Sequence, residues 1–166
     1  MEGPIIEVRL MGGSIYGKIK GFLPKKMKAG DACYDVCSVE TNILEPNRRK
    51  LFETNLQFKI PTGYMGKIHP RSSMWIDGID VLSGIIDSNY RGTLKVGLVN
   101  NSRERKHISS GDRICQIIFT ECKSDLIEVD YINPKDTERG IKGFGSSNRR
   151  GSTHSLCELV RDKAAI

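Results

Sequence analysis

Apolar residues recur along this chain in short alternating runs, with no long amphipathic stretch. Leu56-Gln57-Phe58-Lys59-Ile60 alternates apolar and polar at every step, as a half-buried strand does. Thr93 to Val99 repeats the pattern and puts Leu94, Val96 and Leu98 on one face, because strand side chains alternate. The same reading predicts strands over residues 5–10, 32–38, 41–44, 50–54, 64–69, 105–108, 113–119 and 126–131. Turn residues separate them, as in Glu45-Pro46-Asn47 and Pro61-Thr62-Gly63. Residues 11–30, rich in Gly and Lys, read as loop, and Pro70 to Gly78 as one or two helical turns. Many short strands with such punctuation predict an all-β, jelly-roll-like barrel or sandwich. The pattern stops after Ile132. A core domain over 1–132 and a flexible C-terminal arm over 133–166 follow, the arm's first part being rich in Gly, Ser, Asn, Lys and Arg. Ser155-Leu156-Cys157-Glu158 has capping-box form, which predicts a short terminal helix.

One stretch organises the rest. In Gly84 to Gly92 two apolar runs are joined by Asp87, Ser88, Asn89 and Gly92, which reads as a β-hairpin running into Thr93 to Val99. A carboxylate, Asp87, and a ring, Tyr90, at its tip suit a functional loop on a rigid scaffold; the plain alternative is an ordinary turn.

Composition narrows the class. At 166 residues the chain can bury a real core. No apolar run approaches the ~20 residues of a membrane helix, and Met1-Glu2-Gly3-Pro4 does not open like a signal peptide. Cysteines at 33, 37, 115, 122 and 157 form no Cys-x-x-Cys pair. They read as reduced thiols of an intracellular protein of cytoplasm or nucleus, a host's if the source is viral. The net charge of +6 suits a polyanionic partner but is spread along the chain.

Candidate chemistry is polar and electrostatic. Arg71-Ser72-Ser73 offers a cation and two hydroxyls at a possible helix start, a reasonable phosphate site. Gly111-Asp112-Arg113 reads as a tight turn with a local ion pair. In Arg139 to Ser147, glycines allow close backbone approach, Phe144 suits stacking on a base, and Arg139, Lys142, Ser146 and Ser147 suit phosphates. No nucleophile–base pair or P-loop occurs. Two isolated carboxylates, Asp35 and Asp87, point to hydrolysis by activated water or to magnesium binding.

Five segments, Ala32–Ser38, Pro70–Ser73, Gly84–Gly92, Gly111–Ile118 and Arg139–Ser147, together resemble the trimeric dUTP diphosphatases (dUTPases) in order and spacing. The resemblance implies a homotrimer with sites shared between subunits, the arm coming from a neighbour. It implies hydrolysis of dUTP to dUMP and pyrophosphate, clearing dUTP and supplying dUMP for thymidylate synthesis, with magnesium as cofactor. Neither a membrane nor nucleic acid is required. It assigns water activation to Asp87 and deoxyribose packing to Tyr90. Uracil reading falls to the stretch from Gly84 to about Gly97, with Gly84, Ile85, Ile86 and Lys95 among the contacts. Arg71, Ser72, Ser73 and Gln116 would contact phosphates, Asp35 would hold magnesium through water, Phe144 would stack on uracil, and Arg139, Gly145, Ser146 and Ser147 would grip the triphosphate. Cys33 and Lys142 stand where the family usually has Gly, and Asn89 where Asp is frequent. Alternatives are a dCTP deaminase of this fold, which would need a Glu absent from Gly84–Gly92, and a non-catalytic interaction protein.

Overall fold

The structure is a computed structural model and describes residues 3–11, 22–82, 84–124 and 126–137. The chain divides into two compact units, Met1–Ser124 and Asp125–Ile166. In the first, the strands are β1 (Glu7–Leu10), β2 (Tyr34–Cys37), β3 (Asn42–Leu44), β4 (Arg49–Glu53), β5 (Leu56–Lys59) and β6 (Tyr64–His69). Helix α1 (Ser72–Ile76) follows, then β7 (Ile79–Val81), β8 (Ile85–Ile86), β9 (Lys95–Asn100), β10 (Lys106–Ile108) and β11 (Arg113–Glu121).

All strand pairs are antiparallel. One sheet has the order β2-β11-β6-β8 and a second the order β4-β9-β7, while β1 pairs β5 and β10 pairs β3. Alternation supplies the inward faces. Val36, Ile68, Ile86 and Ile117 of the first sheet share one core with Phe52, Ile79, Val96 and Leu98 of the second. Each such side chain contributes about 1.5–3 kcal/mol on burial, so packing holds strands too short to persist alone.

On β11 the register shifts between Arg113 and Cys115. The bulge lets consecutive Ile114 and Cys115 both be fully buried. At the base of β9, Thr54 Oγ1 donates to Leu94 O (2.7 Å) and accepts from Leu56 N (3.2 Å). This buried hydroxyl fixes where the loop from Asp87 to Thr93 ends.

Three expectations differ from the structure. The runs around Gly84–Gly92 do not pair as a hairpin. β8 pairs with Gly66 and Lys67 of β6, whereas β9 pairs with β4 and β7. Ile86 is buried from one sheet and Leu94, Val96 and Leu98 from the other, and that burial outweighs local pairing. Residues 79–81, read only as a lead-in, form the strand β7. Residues 126–131 form no strand despite their alternation; Leu126, Ile127, Val129 and Tyr131 are exposed and have no strand partner among the described residues.

The described part of the second unit is irregular apart from a 3-10 turn, Pro134–Asp136, where Lys135 N donates to Asn133 Oδ1 (3.0 Å). The expected terminal helix near 155–160 and the glycine-rich segment 139–147 lie outside the described residues.

Candidate phosphate and base sites

β11 lies between β2 and β6, and its register sets Gln116 opposite Asp35 on one side and His69 on the other. The chain leaves β6 through Pro70 into α1, so Arg71, Ser72 and Ser73 arrive beside the same strand. Arg71 Nε donates to Asp35 Oδ1 (2.9 Å), and Arg113 Nη1 donates to Asp35 Oδ2 (3.2 Å). Arg71 Nη1 also donates to Ser73 Oγ and to the Arg113 carbonyl, both at 3.3 Å. Gln116 Nε2 donates to Pro70 O (2.9 Å). The Asp35 and Arg71 side chains are only 16% and 21% exposed, so their attraction is screened less than a surface pair's.

These groups wall an open cavity of about 440 Å³, together with Lys28, Cys33, Ser72 and Ser73. A guanidinium has five N–H donors, so each arginine keeps donors for an anion after binding Asp35. Burial pushes the Cys33 thiol up, against the pull of Lys26, so it adds no negative charge to the wall at neutral pH.

Arg113 was not among the expected site residues. The expected tight turn is present: Gly111 has φ +97°, which favours glycine, and Ser109 N donates to Asp112 Oδ2 (2.7 Å). The arginine, however, reaches Asp35 on another strand. Residues 113 and 116 would face opposite sides of a regular strand. The bulge adds a residue between them, and both line the cavity. No signal in the sequence marks that bulge.

Asp87 and Tyr90 do not line this cavity. They lie on the loop between β8 and β9, which is knit by its own polar groups. Tyr90 N donates to Asp87 O (3.1 Å), and Arg91 Nη1 donates to Ser88 O (2.7 Å) and Tyr90 O (2.9 Å). Gln57 Nε2 donates to Arg91 O (3.0 Å) from β5. Tyr90 Oη donates to Thr93 O (3.0 Å), laying the ring over Gly92. The Asp87 carboxylate is exposed and makes no hydrogen bond or ion pair among the described residues.

The other expected contacts scatter. Gly84 O accepts from Ile68 N (2.8 Å); Ile85 is exposed and Ile86 buried. Lys95 is exposed on β9 and paired with Glu53 at 2.6 Å, a hydrogen bond that pushes its ammonium pKa up. Arg139, Phe144, Gly145, Ser146 and Ser147 lie outside the described residues. Among the described residues no group of three His, Cys, Asp or Glu side chains converges as a metal centre would.

Two arginines and two serines around an open cavity are a donor set able to hold a phosphorylated ligand. The family is then specific: the dUTPase family model matches residues 20–148, and the chain belongs to that family. It is 39% identical over 134 residues to a deoxyuridine 5'-triphosphate nucleotidohydrolase of Tropheryma whipplei strain Twist, covering 78% of this chain and 90% of that protein. It is 41% identical over 128 residues to the nucleotidohydrolase of the same name from fowlpox virus, covering 75% and 88%. Among solved structures, it resembles the Staphylococcus bacteriophage 80alpha dUTPase with dUPNHPP, at a TM-score of 0.73 and 26% identity over 89% of this chain and 100% of that one. A point mutant of the dUTPase from phage phi11 of S. aureus, whose structural Mg(II) ion has been described, shares the fold at a TM-score of 0.68 and 23% identity, over 78% and 99%.

Proposed function

We propose that this protein hydrolyses dUTP to dUMP and pyrophosphate. The observation that carries the reading is the pair of guanidiniums held on Asp35 beside Ser72, Ser73 and Gln116, in a chain of the dUTPase family. Phosphate oxygens take the remaining N–H donors of Arg71 and Arg113 and the two hydroxyls, charge-assisted bonds about twice as strong as neutral ones. Asp87, exposed and unpaired, takes a proton from water as the water oxygen bonds to the α-phosphorus. The α–β bridging oxygen leaves with pyrophosphate. Tyr90, pinned over Gly92, packs under the deoxyribose and leaves no room for a 2′-hydroxyl. The backbone from Gly84 to about Gly97 reads the uracil edge with the polar groups that strand pairing leaves free.

A single chain does not bring the two halves together, because Asp87 and Tyr90 do not line the Arg71 cavity. That supports sites completed across subunits of a homotrimer, with the groups from Arg139 to Ser147 supplied by a neighbour. Magnesium is the family's expected metal. The described residues do not fit a resident protein-held ion: each Asp35 oxygen accepts from an arginine. When present, magnesium would neutralise triphosphate charge and arrive mainly on the substrate, as it commonly does. Asp35 then positions the two arginines, with an outer water contact as its one role toward the metal. No helix among the described residues is long and apolar enough to cross a membrane.

The test is a panel of the four dNTPs, dUTP and UTP with magnesium, read for pyrophosphate, ammonia and nucleotide product. dUMP and pyrophosphate from dUTP alone is the expected result. Ammonia from dCTP, or equal turnover of UTP and dUTP, would overturn it.

A further inference from the structure

The loops that join β3 to β4 and β9 to β10 lie side by side. Asn100, fully buried at the end of β9, ties them together. Its Nδ2 donates to Leu44 O (2.9 Å) and Glu104 O (2.7 Å), and its Oδ1 accepts from Ser102 N (2.9 Å) and Ser102 Oγ (2.7 Å). The backbone adds Asn47 N to Asn100 O (2.7 Å) and Asn100 N to Arg48 O (3.0 Å).

This frame carries four exposed arginines: Arg48 on one loop with Arg49 at the start of β4, and Arg103 and Arg105 on the other loop. Their acidic neighbours are few and loosely engaged. Arg105 approaches Glu45 at 3.6 Å, with side chains 71% and 50% exposed, and Glu104 sits 3.9 Å from Lys106. Such exposed pairs are weak. The guanidiniums of Arg48, Arg49 and Arg103 make no hydrogen bond or ion pair among the described residues. None of the four lines the Arg71 cavity.

We propose that this surface binds the phosphate backbone of nucleic acid, without reading its sequence. Guanidinium is the side-chain group that grips phosphate in a two-pronged way, and here four of them are presented from two loops and the start of β4, which a buried amide ties together. Their charge repels itself in the free protein, and a polyanion relieves that repulsion. The chain's net charge of +6 works in the same direction. Sequence goes unread because two short loops offer no helix or β-ribbon to enter a groove. Binding is accessory: dUTP turnover needs no nucleic acid.

The test is fluorescence anisotropy of the full chain with a labelled DNA duplex of about 20 base pairs and mixed sequence, from about 50 to 200 mM salt. Binding is expected with a Kd of ~10⁻⁶–10⁻⁴ M at physiological salt and a linear fall of log affinity with log salt. Arg48→Ala with Arg103→Ala is expected to reduce the steepness of that slope by about 1.8, at about 0.9 per phosphate contact, with dUTP turnover unchanged. Arg48→Glu with Arg103→Glu is expected to abolish binding at the same salt. Absence of binding at about 50 mM salt would overturn the proposal, as would a slope unaltered in the double variant. Complete displacement of the duplex by pyrophosphate would assign binding to the Arg71 cavity instead. A changed oligomeric mass in the double variants would make the surface a contact between copies of this chain. Binding of heparin without binding of DNA would also refute it.

Discussion

Replacing Gly92 with alanine is expected to loosen the discrimination between dUTP and UTP while leaving the protein folded. A Cβ at position 92 would lie 2.3 Å from Tyr90 Oη, 2.5 Å from Cζ and 2.9 Å from Cε2. Apolar contacts settle at about 3.5–4.0 Å, so the ring must move by about 1 Å or more. The backbone tolerates the change, since Gly92 is not among the glycines with positive φ. What holds the ring is the exposed bond from Tyr90 Oη to Thr93 O at 3.0 Å. Such a bond is worth about 0.5–1.5 kcal/mol net, less than the overlap, so the tyrosine gives way and not the loop. A misplacement of about 1 Å in an active site can cost about 10²-fold in rate. The ratio of kcat/KM for UTP to that for dUTP is therefore expected to rise about 10- to 100-fold, chiefly through loss of dUTP turnover and relief of the clash with the 2′-hydroxyl. Tyr90→Phe loses the bond to Thr93 O but adds no overlap at Gly92, so it is expected to raise the ratio less than Gly92→Ala does. Steady-state kinetics on both nucleotides, with a melting curve for each variant, would read this out. A stable Gly92→Ala protein with unaltered dUTP kinetics and unaltered rejection of UTP would refute the role given to Tyr90.

Asp87→Asn is expected to bind dUTP normally and lose about 10²–10⁴ in kcat, the usual value of general-base catalysis; near-normal turnover would show that another group activates the water. Asp35→Asn releases both guanidiniums, and with charge-assisted bonds worth about 1.5–3 kcal/mol the KM for dUTP is expected to rise roughly 10- to 100-fold. An unchanged KM, measured across a magnesium titration, would remove Asp35 from the phosphate grip. Asn100→Ala strips the Leu44 carbonyl and the Ser102 N–H of their Asn100 partner, while the Glu104 carbonyl keeps the Ser102 hydroxyl, so urea unfolding is expected to show a loss of about 2–3 kcal/mol; no loss would mean that the two loops do not depend on it. Because burial raises the Cys33 thiol pKa, its thiolate becomes abundant only above the ordinary thiol range. Iodoacetamide labelling of Cys33, followed by mass spectrometry, should be slow at neutral pH, speed up on the alkaline side and be slowed by bound dUTP. Fast labelling at neutral pH would contradict that.

Period-2 alternation placed most strands correctly, because a strand with one buried face writes that face into its sequence. Leu56 and Phe58 on β5 are examples, both buried between exposed or half-buried polar neighbours. What alternation does not write down is partnership. Ile85-Ile86 and the Leu94 run read equally well as one hairpin or as strands of two sheets, and only the shared core decides between them. Residues 126–131 alternate as β strands do, yet alternation alone cannot say whether a partner is within reach. The grouping of Arg71, Ser72 and Ser73 at one cavity was legible because they are contiguous. Arg113 was not, because a bulge invisible in the sequence turns it onto the face of Gln116. Asp35 suggested a metal ligand for a related reason. An isolated carboxylate in a sequence carries no sign of the two arginines that come to meet it from 36 and 78 residues away.

The central claim is that the phosphate half and the Asp87–Tyr90 half of each site come from different subunits. The direct test is complementation between Arg71→Ala and Asp87→Asn chains, each inactive alone, refolded or expressed together. In a cyclic trimer with sites at the subunit boundaries, equal mixing leaves one wild-type site in every mixed trimer, so about a quarter of wild-type dUTP turnover is expected. If both halves belonged to one chain, every site would carry one defect or the other. Mixed trimers confirmed by mass but as inactive as their parents would contradict the account.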